Sequence, residues 1–448
     1  MYKVYIMENP KNSINNIADQ NEETDQNEET DQIEESELNE DEIAELSLLE
    51  KQTRFHLLTQ KTKKCKINKP QKISDKMDSQ IQLKTYVLEN ELKISERIKT
   101  IPLYFLNFAP ILSTEDIYIN TLQEEEKECD IIQNPKPILQ TLENNNQELP
   151  EYTETITRSN HKTMTEYFNE IYETNPQMFL PILIESNLQV LESIQKLQEK
   201  SIVHMDINQD IILYDTVNAS PLITDYRMSF MKDQITNDIE NFQNIFPEYE
   251  EYAPWCIEIF ILSHIASMKE SDPNNWKTMK WTQEQLMNLC EKFVRDPNNI
   301  LNKITRTSKR EIYEQKWKSF YSDYVGKTME ESIPELIKSC DSWDNYSVAI
   351  MFLIFIMQYN VPESEFIKKY VYLLKSIVYE IPGKRESAET TTANITTIFK
   401  GIDKKEYDLF IQEIKDQSQI EDQSQYKDQS QYKDQIQEYI MYDNEIDE

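Results

Sequence analysis

The sequence predicts an α+β fold, and three observations carry that prediction. Segments rich in β-branched and aromatic residues, such as Tyr152-Thr153-Glu154-Thr155-Ile156-Thr157, read as strands. Residues 179–197 carry apolar side chains at 180, 183, 184, 188, 191, 194 and 197, one stripe along a helix that starts near Pro181. The unbroken apolar run 348–357 suits a helix surrounded by protein on every side. With 448 residues the chain has room for one large or two ordinary domains.

Composition limits the function classes. The net charge is −34, and much of it sits at the ends: the first fifty residues hold two Lys against sixteen Asp and Glu. The middle is mildly acidic, which argues against a nucleic-acid partner, since phosphate backbones are held by clustered Lys and Arg. Cys65, Cys129, Cys256, Cys290 and Cys340 are scattered without zinc-site or disulfide spacing, which suits inert thiols in a reducing compartment. The longest apolar run is ten residues, against roughly twenty for a membrane span. The start of the chain lacks a basic region and apolar core of the signal-peptide kind. The expectation is a cytoplasmic protein with a protein substrate or partner, no nucleic acid and no membrane.

In chain order, residues 1–58 read as an acidic low-complexity tail, with Asn-Glu-Glu-Thr-Asp-Gln repeated at 21–26 and 27–32. So few apolar anchors cannot offset the entropy of ordering, and disorder is the expectation. Residues 87–98 place apolar side chains at 87, 88, 92, 94 and 98, an amphipathic helix. Strands are predicted at 104–112 and 152–157, separated by a polar surface insertion at 121–150. Helical pattern resumes at 163, and short apolar strands follow from 202 onward. Residues 281–325 again carry Trp, Leu and Lys at helical spacing. The tail 415–448 repeats Lys-Asp-Gln-Ser-Gln with a six-residue period that fits no helical face, and is also expected to be disordered.

The chemistry concentrates in Ile202-Val203-His204-Met205-Asp206-Ile207-Asn208-Gln209-Asp210-Ile211-Ile212-Leu213 and in Pro221-Leu222-Ile223-Thr224-Asp225-Tyr226-Arg227. Strand, loop and strand deliver Asp206 and, nineteen positions later, Asp225. Phosphoryl transfer uses such a pair, one carboxylate beside the acceptor hydroxyl and one on the metal that neutralises the phosphates. The order resembles the H-R-D-L-x-x-x-N and D-F-G motifs of protein kinases. Ser342-Trp343-Asp344-Asn345-Tyr346-Ser347 resembles the family's D-x-W-S-x-G, and Pro382-Gly383-Lys384-Arg385 its late P-x-x-R. Taken together, residues 70–412 are similar to divergent serine/threonine kinases of large DNA viruses.

The resemblance implies a bilobal protein-kinase-like fold. It implies a small sheet-rich N-lobe over 60–160, a hinge near Ser159 and Asn160, and a mainly helical C-lobe over 161–414 with a helical insertion at about 260–340. It also implies ATP and Mg2+ as cofactors, with Asp206 as the catalytic base and Asp225 on the metal. Lys76 and Glu91 are implied as the phosphate-binding pair. His204 is assigned to packing in the loop, Asp344 to holding the loop's backbone, and Glu258 to pairing with Arg385. For a viral protein the compartment is host cytoplasm or virion.

Departures cut against catalysis. Ile211 stands where the family's second metal ligand is an Asn, and Asp210 beside it is expected to face away by strand alternation. Asn208 replaces a Lys, and Arg227 replaces the Gly of D-F-G, restricting the backbone. The first glycine in the chain is Gly326, so no Gly-rich loop can bring backbone amides onto phosphates. Two functions stay open: an impaired serine/threonine kinase, and a catalytically inactive pseudokinase acting as a binding or scaffold module.

Overall fold

A computed structural model describes residues 65–66, 77–117, 152–158, 161–236, 245–246, 255–295, 301–304, 307–359, 361–402, 404–405 and 407–412. All of them belong to one compact unit, Leu48–Glu448. Both expected tails, Lys76, the insertion at 121–150, and Ser159 and Asn160 lie outside the described residues. The architecture is mixed α+β, mostly helical with small antiparallel sheets.

The first sheet orders its strands β1-β2-β4-β3, with β1 at Cys65–Lys66, β2 at Met77–Leu83, β3 at Ser113–Ile117 and β4 at Tyr152–Arg158. β2 and β4 run antiparallel with Ile81 opposite Glu154. Thr153 and Thr155 are buried on β4, and Gln82 Nε2 donates across the pair to Thr155 Oγ1 at 2.8 Å. Between β2 and β3 runs helix α1, Tyr86–Lys99, started by Thr85, whose side chain accepts from Leu88 N at 3.3 Å. Val87, Glu91, Ile94 and Ile98 fall on its buried stripe, so the same periodicity that packs the helix turns Glu91 inward.

The strand expected at 104–112 is not formed. A 3-10 turn occupies Tyr104–Leu106, and beyond it Phe108 makes a single parallel bridge to Ile223. Pro102 and Pro110 have no N–H to give a ladder, and Leu103 sits in the left-handed region at φ 53°, which bends the chain away from an extended course. The apolar content of the segment is spent on burial, with Phe108 and Ile111 inside the core.

Helix α2, Met164–Thr174, opens with a capping box between Thr163 and Glu166, and helix α3, Phe179–Glu199, buries the stripe Leu180, Leu183, Ile184, Leu191, Ile194 and Leu197. Short strands flank these helices: β5 at Lys162–Thr163, just ahead of α2, pairs β7 at Ile212–Asp215, which pairs β8 at Ser220–Ile223. Strand β6 at Ile202–Val203 pairs β9 at Phe230–Met231, which leads into α4 at Lys232–Thr236.

Among the described residues, the region of the expected insertion holds five α-helices: α5 Ile257–Ser271, α6 Gln283–Arg295, α7 Leu301–Ile304, α8 Thr307–Tyr321 and α9 Met329–Ile337. They do not form a separate core. Phe293 meets Trp317 edge-on at 5.5 Å and Phe260 at a tilt at 5.6 Å, and all three belong to the apolar cluster that also contains Phe352 and Phe355. At the centre lies α10, Trp343–Gln358, buried from Trp343 through Leu353 on every face and packed against α3 and α11, Glu365–Tyr379. Helix α12, Ala388–Lys400, closes against α3. Among the described residues no helix is long and apolar enough to cross a membrane.

Candidate functional site

The site begins with one carboxylate under a loop. Asp344, in the first turn of α10, is 1% exposed and accepts from the backbone N–H groups of His204 and Met205, each at 2.9 Å. Its position on a helix locked in the core fixes where residues 204–206 run. Met205 adopts φ 66°, a left-handed backbone that costs a non-glycine residue roughly 1–2 kcal/mol. That conformation is held from both sides, because the Trp255 indole Nε1–H donates to Met205 O at 3.0 Å while Asp344 takes the amide. Burial pushes the Asp344 carboxyl up to about 6, the two amides only partly opposing it.

His204 ties this loop to the next. The Asp206 amide donates to its Nδ1 at 3.3 Å, so the ring proton sits on Nε2, which donates to Thr224 O at 3.1 Å. Thr224 immediately precedes Asp225, and one neutral imidazole therefore sets the spacing of both aspartate-bearing segments. Complete burial lowers the His204 pKa to about 4, against the opposing pull of the Thr224 carbonyl and the Asp225 charge. The His204 and Tyr226 rings meet edge to face, their centres 5.3 Å apart.

Asp206 is 7% exposed, and Asn208 Nδ2 donates to its Oδ1 at 2.7 Å. The residue expected to remove a positive charge thus orients the carboxylate instead. Asn208 also accepts from the Asp210 amide at 2.9 Å, forming the turn that precedes β7. Asp210 is exposed on that turn and not on a strand, so strand alternation is not the reason it faces away; Ile211 beside it is buried.

On the far side of the loops, Glu91 of α1 accepts from the Tyr226 backbone N–H at 3.2 Å. Asn90 Nδ2 adds a bond to Ser229 O at 2.7 Å, and Gln234 Nε2 donates to Asn90 Oδ1 at 2.9 Å. Helix α1 is therefore tied at two successive residues to the segment that carries Asp225. Lys76, named as the partner of Glu91, lies outside the described residues.

Asp225 itself has φ 60°, and this left-handed turn puts its side chain on the same side as that of Arg227. Arg227 Nε donates to Asp225 Oδ1 at 2.6 Å, and its terminal NH2 nitrogen pairs with Oδ2. The guanidinium pKa is pulled down by burial and raised further by the Asp225 carboxylate first, then by Glu91 and Asp206, so its net direction is up. Asp206, Asp225 and Glu91 thus all act on one cation. Among the described residues no group of three or more His, Cys, Asp or Glu is arranged to hold a metal ion.

Below this region, Arg385 reaches Glu258 with both terminal nitrogens, at 3.0 and 3.2 Å, with both side chains fully buried. Arg385 also donates to Ser342 Oγ at 2.9 Å and lies 5.1 Å from the Tyr346 ring centre. Burial pushes the Glu258 carboxyl up, and the Arg385 guanidinium outweighs it, holding the group ionised below its ordinary range. The left-handed turn at Gly383, φ 77°, delivers Arg385 to this pocket.

The geometry thus brings Asp206, Asp225 and His204 to two adjoining loops, sets Glu91 of α1 against the second, places Asp344 beneath the first, and sets Glu258 against Arg385. Sequence reasoning missed three contributors: the Trp255 indole, Asn90, and the ion-pairing of Arg227. The first two act across the fold and leave no local pattern. The third was visible as an acidic and a basic residue two apart in a loop. No protein-family model matches the chain, and no curated protein matches it.

Proposed function

We propose that this chain is a divergent, two-lobed protein-kinase-like protein of the serine/threonine type. Phosphoryl transfer from ATP is impaired in it, and it works as a pseudokinase, a module that binds a protein partner. The observation that carries the reading is the double acceptance by Asp344 beneath His204 and Met205. It supports a catalytic-loop arrangement, with Asp206 presented above a central buried helix and Asp225 presented beside it under α1. Glu91 on the Tyr226 amide is consistent with the same arrangement.

Impairment follows from the residues that surround the pair. A divalent metal of the Mg2+ kind takes carboxylate oxygens at close range. Both oxygens of Asp225 are engaged by Arg227, and the residue at the motif's second-ligand position is Ile211, apolar and buried. These residues do not fit the metal. The chain's glycines are Gly326, Gly383 and Gly401, none of them ahead of α1, where a phosphate-cradling loop belongs. Electrostatic stabilisation is the dominant contribution to catalysis of this kind, and here it is largely missing.

A second reading, an active kinase with Asp206 as base, has one observation in its favour. Asp206 is oriented through Asn208 and His204 as a base facing a hydroxyl needs to be. Thermal unfolding of the full chain with 1 mM-scale ATP, with and without Mg2+, separates the two, because a ligand selective for the folded state raises its stability. The pseudokinase reading expects no Mg2+-dependent shift and no phosphate transfer above that of Asp206→Asn. A Mg2+-dependent shift, with transfer abolished in Asp206→Asn, overturns it in favour of the enzyme.

A further inference from the structure

We propose that Arg227 is a built-in counter-cation: it occupies the charge position on Asp225 that a divalent metal takes in a phosphotransfer site, and it closes the cleft to Mg2+ and Mn2+. The inference deepens the kinase-like reading and rests on it only for the expectation that a metal belongs there.

Three features of the pair support it. The contact is fork to fork, Nε to Oδ1 at 2.6 Å and the terminal nitrogen to Oδ2, so each carboxylate oxygen already accepts from a charged N–H. The Glu91 and Asp206 carboxylates also act electrostatically on the same guanidinium, so Arg227 sits in the combined field of three acidic side chains. The pair is also sheltered, with the Arg227 side chain 13% exposed and Asp225 25% exposed. This is only partial shelter, so it is the two-armed fork, more than burial, that holds the Asp225 carboxylate. An Arg stays protonated at any pH the protein meets, so the counter-cation is not lost by deprotonation. An incoming metal must shed its own water and also displace both arms of the guanidinium fork from the carboxylate oxygens.

The local backbone explains why Arg227 can do this. With Asp225 at φ 60°, residues 225 and 227 project to one side of the turn, and the Tyr226 amide between them is held by Glu91. A glycine at 227 leaves the same turn without the cation. The residue read from sequence only as a backbone restriction is, by its contacts, an electrostatic substitution.

The test is Mn2+ binding by the full chain without nucleotide, followed by the electron paramagnetic resonance signal of free Mn2+ and by thermal unfolding. Wild type is expected to show no saturable binding below millimolar Mn2+. Arg227→Gln, which removes the charge and keeps polar length, is expected to gain at least tenfold in Mn2+ affinity, and the gain is expected to vanish when Asp225→Asn is added. Should Arg227→Gln not fold, Arg227→Lys keeps the charge but loses the fork, and is expected to gain at least threefold. Asp225-dependent Mn2+ binding by wild type overturns the proposal, and so does a folded variant with no gain. A variant that stays silent to Mn2+ while wild type still responds to ATP defeats the role of Arg227 alone and leaves the kinase-like reading standing.

Discussion

The Arg385–Glu258 and Arg227–Asp225 pairs use the same chemistry in two settings. The first joins residues 127 positions apart with neither side chain exposed, and it binds α5 to the segment ahead of α12. The second joins residues two positions apart at the surface of a loop, 13% and 25% exposed. A buried charge cannot lose its partner without a large penalty, whereas a partly solvated one has water to fall back on. The difference teaches where this molecule can change. The polar network under the loops holds the fold and resists substitution, while the residues that face the cleft are replaceable at small cost to folding. Asn208 and Arg227 occupy that replaceable layer, whereas Ile211 packs into the core.

Four substitutions and conditions test the contrast, from the largest effect to the smallest. Glu258→Ala strands the Arg385 guanidinium in the core and is expected to lower unfolding free energy by about 4 kcal/mol in urea titrations. A loss under about 1 kcal/mol would place this pair with the replaceable layer. Asp344→Ala removes the acceptor for two buried amides, one of them on the left-handed Met205, with an expected loss of about 3 kcal/mol and faster hydrogen exchange at 204–206.

Protons should reveal the same network. His204 is held neutral by burial, its pKa lowered to about 4, so its contribution to stability is present above its ordinary value of 6.5 and is lost as pH falls through about 4. Asp344 runs the other way: its pKa is raised from 3.8 to about 6, and its contribution is present below 3.8 and lost as pH rises through about 6. Between pH 4 and 6 the two offset each other in the wild type. The destabilisation caused by His204→Asn is expected to grow on going from pH 4 to 6.5, and that of Asp344→Asn to shrink from pH 4 to 6, each at up to about 1.4 kcal/mol per pH step of one. Parallel pH profiles for the two variants would contradict the assignment. The smallest effect is expected from Trp255→Phe, which keeps the ring and loses the bond to Met205 O, at about 1 kcal/mol.

How much was legible in the sequence follows from how each feature is encoded. Helix α3 and helix α10 were legible because burial writes itself as periodicity or as an unbroken apolar run. The α+β class was legible for the same reason. Asp344, Glu258 and Arg385 were singled out through motifs quoted from a family, since nothing in their local spacing tells a buried polar residue from a solvated one. The strand expected at 104–112 misled because apolar, aromatic composition reports burial, and Pro102, Pro110 and a left-handed Leu103 decide against a ladder. Asp210 misled because the turn built by Asn208 ends one residue later than the pattern suggested. Arg227 was seen, but its role depends on the backbone sign at Asp225, which no composition rule supplies.

Setting, not chemistry, divides the fixed layer from the replaceable one, and matched substitutions measure that division. Urea unfolding of Arg385→Ala and Arg227→Ala removes the same side chain from the same kind of partner. The account predicts losses of about 4 kcal/mol for the first and about 1 kcal/mol or less for the second. Equal losses, or a larger one for Arg227→Ala, would contradict it.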